Sequence, residues 1–388
     1  MFHLHTSLEL YQQGPHLAKS VDQLLQIFPT SAFLLTCNAL LAYHSKDLIT
    51  AEQAFGSLMA LHPHRLDSLD HYSNILYVMN LRPKLAFLAH LCSSIDKFRP
   101  EACVVIGNYY SLLSQHEKAV QYFRRALTLD RSCLSAWTLM GHEYVELKNT
   151  HAAIESYRRA VDINRRDYRA WYGLGQTYEM LEMHTYSLWY YKKAAGLRPW
   201  DGKMWQAVGS CLQRMGRHVD GIKALKRAIL AEAFYDEGSF SSETALGGLG
   251  GTIAYMDPEI LLQIAHMYEY LGEEGNAKAY MELCLGQEDG SAGADALQDD
   301  SGDAHNDGDG DGDGVRHSRS AGDGAEGTGV TTATSAARKW LAKYAMQHGD
   351  YATANRLANE LCQDGVEIED AKALIREVRS RMDAIEGG

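Results

Sequence analysis

The sequence predicts an all-α chain, a right-handed superhelix of stacked antiparallel helix pairs interrupted by a disordered acidic Gly/Asp insertion. Three observations carry this expectation. Large and small residues return every 34 positions from Pro100 to Leu230. The apolar ones within each unit fall three and four apart, on one helical face. A single stretch, 287–334, is almost free of large apolar side chains and cannot offset its chain entropy.

The period is read directly. Cys103, Trp137, Trp171 and Trp205 are 34 apart, and so are Gly107, Gly141, Gly175 and Gly209. Tyr110, Tyr144, Tyr178 and Leu212 follow, then Phe123, Tyr157, Tyr191 and Leu225, then Ala126, Ala160, Ala194 and Ala228. This order of residues at this period is the signature of the tetratricopeptide repeat, a helix–turn–helix unit. One unit cannot bury its apolar face alone, so stacked units supply the core. The Gly and Ala positions are expected where two helices approach most closely and a larger side chain would overpack. The Trp and Tyr stripe is expected to be core.

Taken in order, residues 1–31 read as a partial first repeat, with Leu4, Leu8, Leu17, Val21, Leu24 and Phe28 expected to lie uncovered. Stepping the register backwards places two divergent units over 32–99, where Pro63 stops the second helix of its unit. The central units fill 100–235. A Gly/Ser-rich insertion, 236–257, breaks the rhythm, and one unit resumes over 258–286. The acidic linker occupies 287–334, and 335–388 is expected to hold a last unit and a capping helix.

The net charge of −13 is uneven: twelve acidic residues against two arginines lie in 287–334, and the remainder is close to balanced. That balance argues for protein partners and against a nucleic-acid surface. No apolar run reaches the roughly 18 residues of a membrane span, and the start of the chain has no basic-then-apolar leader. The seven cysteines include no CxxC pair and read as small buried hydrophobes of an intracellular protein.

The chain shows no motif with catalytic specificity: no P-loop, GxSxG or HExxH occurs. The DGDGDGDG run resembles a calcium loop, but the twelfth position from Asp307 or Asp309 is Ser318 or Ser320, not an acid. No catalytic residue, metal ligand or cofactor is expected. What remains is the concave wall of the solenoid, built from the first helix of each unit. Asn108, Tyr109, His142, Glu143, Glu146, Tyr172, Gln176 and Glu179 are expected to line a peptide-binding groove there. The glutamates would take an arginine as a charge-assisted pair, and the tyrosines would offer ring faces.

The stretches GNYYSLLSQHEKAVQYFRRAL (107–127), AWTLMGHEYVELKNTHAAIESYRRAV (136–161) and NRRDYRAWYGLGQTYEML (164–181) strongly resemble the cell-division-cycle-type tetratricopeptide subunit eight of the anaphase-promoting complex. YSNILYVMN (72–80) and LAHLCSSIDKFRPE (88–101) resemble the same family. The resemblance implies a non-enzymatic scaffold of a ubiquitin ligase active in cell division and mitosis, found in nucleus and cytoplasm. It implies other subunits of that complex as partners, and an activator protein received through a basic-aromatic segment, the C-box. Family members pair as homodimers through an N-terminal repeat block; this chain resembles a form lacking much of that block. Two rivals stand beside it. A co-chaperone clamp for acidic peptide termini would need several inward Lys or Arg, but the inward positions Val104, Thr138, Tyr172 and Gln206 supply none and only Arg169 and Lys203 stand nearby. An enzyme with a repeat arm would need a catalytic domain, and the residues outside the repeats are mostly linker.

Overall fold

The structure, a computed structural model, describes residues 2–9, 15–236, 256–288, 329–363 and 368–386. Most of the Gly/Ser insertion and of the acidic linker, including the DGDGDGDG run, lies outside the described residues, as does the expectation of disorder there. The regular structure among the described residues is helical throughout, and the chain divides into two units, 1–197 and 198–388.

The first unit holds twelve helices: α1 (Phe2–Glu9), α2 (Pro15–Ile27), α3 (Ala32–His44), α4 (Leu48–Leu61), α5 (Leu69–Val78), α6 (Arg82–Ile95), α7 (Pro100–Leu112), α8 (His116–Leu129), α9 (Leu134–Glu146), α10 (Thr150–Ile163), α11 (Tyr168–Met180) and α12 (His184–Leu197). The second holds α13 (Gly202–Arg214), α14 (His218–Asp236), α15 (Pro258–Leu271), α16 (Glu274–Gly286), α17 (Thr332–Gln347), α18 (Tyr351–Gln363) and α19 (Ile368–Glu386). Helices α7, α9, α11 and α13 begin one 34-residue step apart, at Pro100, Leu134, Tyr168 and Gly202.

Four helix pairs, α7/α8, α9/α10, α11/α12 and α13/α14, close on a glycine. A Cβ on Gly107 would stand 2.5 Å from the ring of Phe123, and one on Gly141 would stand 2.6 Å from Tyr157. Gly175 meets Tyr191 and Gly209 meets Leu225 in the same way, each at 2.5 Å. The large partner is fully buried in all four pairs. The close approach expected from the sequence is therefore present, and it is the second helix that supplies the side chain filling it.

The tryptophans correct the expectation of a buried stripe. Trp137, Trp171 and Trp205 are half-buried. Each indole N–H donates to the carbonyl six residues earlier: Arg131 at 3.0 Å, Arg165 at 2.9 Å and Pro199 at 2.8 Å. A Trp has one N–H to satisfy, and these rings satisfy it by fastening the turn that enters their own repeat.

The turn within each pair ends its first helix in a left-handed residue followed by a backbone bond reaching five residues back. Gln115 donates to Tyr110 O at 2.9 Å, Asn149 to Tyr144 O at 2.8 Å and Met183 to Tyr178 O at 3.0 Å. The left-handed residue is Lys46, Asn80, Ser114, Lys148 or Glu182 in the first unit, and Gly216, Gly272 or Gly349 in the second.

At the chain start, Leu4, Leu8, Leu17 and Val21 are buried in one cluster with Leu34 and Cys37 of α3. They do not form the exposed apolar edge expected of a partial repeat, because α3 covers them. Phe28 is exposed as expected, at 51%, beside an exposed Ile27. In the second unit Leu225, Leu261, Ile264, Met281 and Ala337 share a core. Its helix α17 starts ahead of the expected boundary at Ser335, because Thr331 and Thr334 cap it reciprocally. All seven cysteines are free, and burial pushes the thiols of Cys92 and Cys284 up to about 12.

Candidate peptide-binding groove

In the first unit α3, α5, α7, α9 and α11 pack in series, and their free faces form the wall that the sequence expects to be concave. The eight residues expected to line it all lie on α7, α9 and α11, and the structure separates them into two kinds.

Asn108 and Glu143 are buried, at 2% and 5% exposure. Asn108 Nδ2 donates to Ser73 Oγ and to Asn74 Oδ1 on α5, both at 2.7 Å. Asn74 holds the same register position one repeat earlier, so two asparagines clasp adjacent helices. Ser111 Oγ on α7 donates to Glu143 Oε1 at 2.6 Å, and His116 Nδ1 pairs with Glu143 Oε2 at 2.8 Å. These two side chains were expected to face the groove freely. Instead, first helices of neighbouring repeats pack so closely that polar residues at this register satisfy one another.

The other six are half-buried or exposed. Glu146 and Gln176 are exposed, and Tyr109, Tyr172 and Glu179 are half-buried. His142 is exposed over part of its surface, and its ring is held by Tyr157, whose hydroxyl lies 2.8 Å from Nδ1. The protein packed around its ring, and the charge of Arg169, lower its pKa to about 4, so the imidazole is neutral at physiological pH. Tyr191 spans from the helix-pair core to the wall, where its hydroxyl donates to Glu179 Oε2 at 2.5 Å and its ring meets Tyr172 at 5.3 Å. Burial, with Glu179 adding to it, raises the Tyr191 pKa strongly, so the phenol remains a donor.

Two further contacts cross the wall and were not anticipated. The Arg169 guanidinium lies over the Tyr43 ring, 5.0 Å from its centre, joining α11 to α3. Ser135 Oγ on α9 donates to Asp70 Oδ2 on α5 at 2.6 Å. Stepping the repeat register backwards would have placed Tyr43 and Asp70 on this wall, but not opposite these partners. Among the described residues no cluster of metal-binding side chains occurs and no helix is long and apolar enough to cross a membrane.

A wall of this kind offers carboxylates, a carboxamide, an imidazole and ring faces. The budding-yeast protein named anaphase-promoting complex subunit CDC23 is 47% identical over 137 residues, 35% of this chain and 22% of that one. Anaphase-promoting complex subunit 8 of Dictyostelium discoideum is 48% identical over 137 residues, and that of Arabidopsis thaliana 48% over 130. A family profile described as anaphase promoting complex subunit 8 / Cdc23 matches residues 1–39. Over about a third of its length the chain is similar to members of the subunit 8/Cdc23 family. Its alignments span less than a quarter of the length of these relatives. Tetratricopeptide profiles match 100–133, 141–181 and 258–288. A solved chain from an anaphase-promoting complex hetero-tetramer, Cut9-Hcn1, superposes on 96% of this chain with a TM-score of 0.59 and 15% identity, a likeness of fold.

Proposed function

We propose that this relative of subunit 8/Cdc23 is a non-catalytic scaffold in an anaphase-promoting complex, and that its concave wall receives the basic-aromatic C-box segment of an activator. The observation that carries the scaffold reading is the identity of 47–48% with subunit 8 proteins of three organisms. The groove reading is supported by the three glutamates on the wall. Glu146 stands exposed, Glu179 is held by Tyr191, and Glu143 is oriented behind them by Ser111 and His116. An arriving arginine meets carboxylates already aimed, which lowers the ordering cost of the pair. An acidic peptide terminus would meet the same carboxylates and be repelled.

Two measurements test the two halves separately. A tagged chain expressed in cells is expected to bring down other subunits of the complex; their absence refutes the scaffold. A labelled C-box peptide is expected to bind the purified chain about tenfold more weakly when Glu146→Gln or Glu179→Gln removes one charge-assisted contact. Binding equal to that of the outward control Arg158→Ala refutes the groove.

A further inference from the structure

The outer face of the first unit carries a repeated aromatic stack, and one rung of it is missing. Tyr110, Tyr144 and Tyr178 recur 34 apart on α7, α9 and α11. On α8, Tyr122 stacks on Tyr110 with ring centres 5.3 Å apart and 18° between planes. On α12, Tyr190 stacks on Tyr178 at 5.2 Å and 8°. The residue at this register on α10 is Ser156, which has no ring; it is buried, its hydroxyl donates to Ala152 O at 2.8 Å, and the Arg124 guanidinium lies over the Tyr144 ring, 6.0 Å from its centre. Its neighbours are reduced too. Where α12 has Tyr186 stacked on Tyr178 and Trp189 set edge-on to Trp171, α10 has Ala152 and Glu155.

The space so left is an open groove of about 880 Å³ between α8 and α10, with Met140, Tyr144, Trp137 and Leu127 along its floor. That is the size of a site for an organic group with its flanking chain. The molecule itself shows what shape fits, since one repeat later the corresponding space is filled by a Trp and two tyrosines. The rim states the charge. Arg124, Arg131 and Arg159 border the groove with Glu155 and Asp162. Arg159 is paired with Glu155 at 3.0 Å. Arg124 is bonded to the Tyr144 hydroxyl at 2.6 Å, and neither it nor Arg131 has a carboxylate partner among the described residues. The cations left over therefore outnumber the acids.

We infer that the groove between α8 and α10 is a second peptide-binding site, distinct from the concave wall, which receives an extended partner segment presenting one aromatic side chain flanked by carboxylates. The ring takes the missing rung against Tyr144 and Trp137, in the offset or edge-on geometry aromatic pairs prefer. The carboxylates meet Arg124 and Arg131 at the rim, where both charges remain wet and act mainly on orientation and encounter.

The test uses the full 388-residue chain and a fluorescein-labelled peptide of sequence Gly-Asp-Asp-Ala-Trp-Ala-Asp-Asp-Gly, read by fluorescence anisotropy. Replacing the peptide's Trp by Ala is expected to weaken binding about tenfold or more, as for an anchor side chain. Replacing its Asp residues by Lys is expected to do the same. On the protein, Ser156→Tyr restores the rung found in both neighbouring repeats; it is expected to melt no lower than the wild type and to lose the peptide. Arg124→Glu with Arg131→Glu, two exposed positions, is expected to lose it while keeping the helical spectrum, and decides the matter should Ser156→Tyr fail to fold. No measurable binding by the wild type, binding indifferent to the peptide's Trp, or a folded Ser156→Tyr that binds like the wild type overturns the proposal.

Discussion

Replacing Gly175 by Ala tests the packing argument at its narrowest point. The added Cβ would lie 2.5 Å from Tyr191 Cδ1 and 2.6 Å from Cε1. Carbon atoms rest about 3.5–4.0 Å apart, so roughly 1 Å of separation must be found. The ring has nowhere to retreat. It is 1% exposed, its hydroxyl is held by Glu179 at 2.5 Å, and Tyr172 lies against it. Overpacking of this kind costs about 1–3 kcal/mol. Against it stands the gain of about 1 kcal/mol when a helical Gly becomes Ala. The net expectation is a loss of up to about 2 kcal/mol, a fall of up to roughly 1 M in the urea midpoint at a slope near 2 kcal/mol/M. The control is Gly56→Ala, in the middle of α4, where the new Cβ meets nothing within 4 Å. There only the propensity gain remains, and the midpoint should rise. Opposite signs for one chemical change are what the geometry requires; a rise at both positions would refute it.

Three further outcomes follow from particular contacts. Asn108→Ala removes the donor that Ser73 Oγ and Asn74 Oδ1 both accept from, while Ser73 keeps its own bond to Asp70 O, and is expected to lower stability by about 1–3 kcal/mol in thermal melts; an unchanged melt would mean that the asparagine clasp contributes nothing. Because the pKa of His142 is lowered to about 4 from 6.5, the unfolded chain binds its proton first. Its contribution to stability is whole above about pH 6.5 and declines as pH falls to about 4, so His142→Gln should flatten that part of the stability–pH curve, and a His142 that titrates near 6.5 by NMR would contradict the assignment. Trp171→Phe keeps the ring but removes the bond to Arg165 O, and is expected to cost about 1 kcal/mol, visible as faster amide exchange in the turn before α11; wild-type exchange there would show that the bond does not fasten the turn.

The repeats were legible because they are local. Spacing alone places Gly107 against its helix pair and starts α7, α9, α11 and α13 in step, since each unit meets the same neighbour in the same way. The site was legible only as a set of positions. Asn108 and Glu143 look like free polar groups in a linear register, and nothing in the sequence says that Ser73 or Ser111 comes within 2.7 Å. Whether a wall residue faces water or a neighbouring helix depends on distances between repeats. The Arg169–Tyr43 contact is harder still, because it joins repeats that are neither adjacent in sequence nor in the stack. Trp171 misled for another reason: its ring is apolar enough for a core, while its one N–H draws it toward a backbone carbonyl at the surface.

The left-handed turns within the helix pairs carry a consequence for how the array breathes. A side chain in this conformation costs about 1–2 kcal/mol, which Gly does not incur, and Asn incurs less. The second unit places Gly at all three such turns seen, whereas the first unit places Lys46, Asn80, Ser114, Lys148 and Glu182 there. The repeats that form the concave wall are thus held by joints kept below their attainable stability. Single changes such as Lys148→Gly and Glu182→Gly would tighten them one at a time, in small additive steps. Local opening starts where the free-energy gap is smallest. In this molecule the looser turns belong to the repeats whose first helices carry Asn108, Glu143 and Glu179, so amide exchange is expected to report opening there before it reports opening at the glycine turns of the second unit.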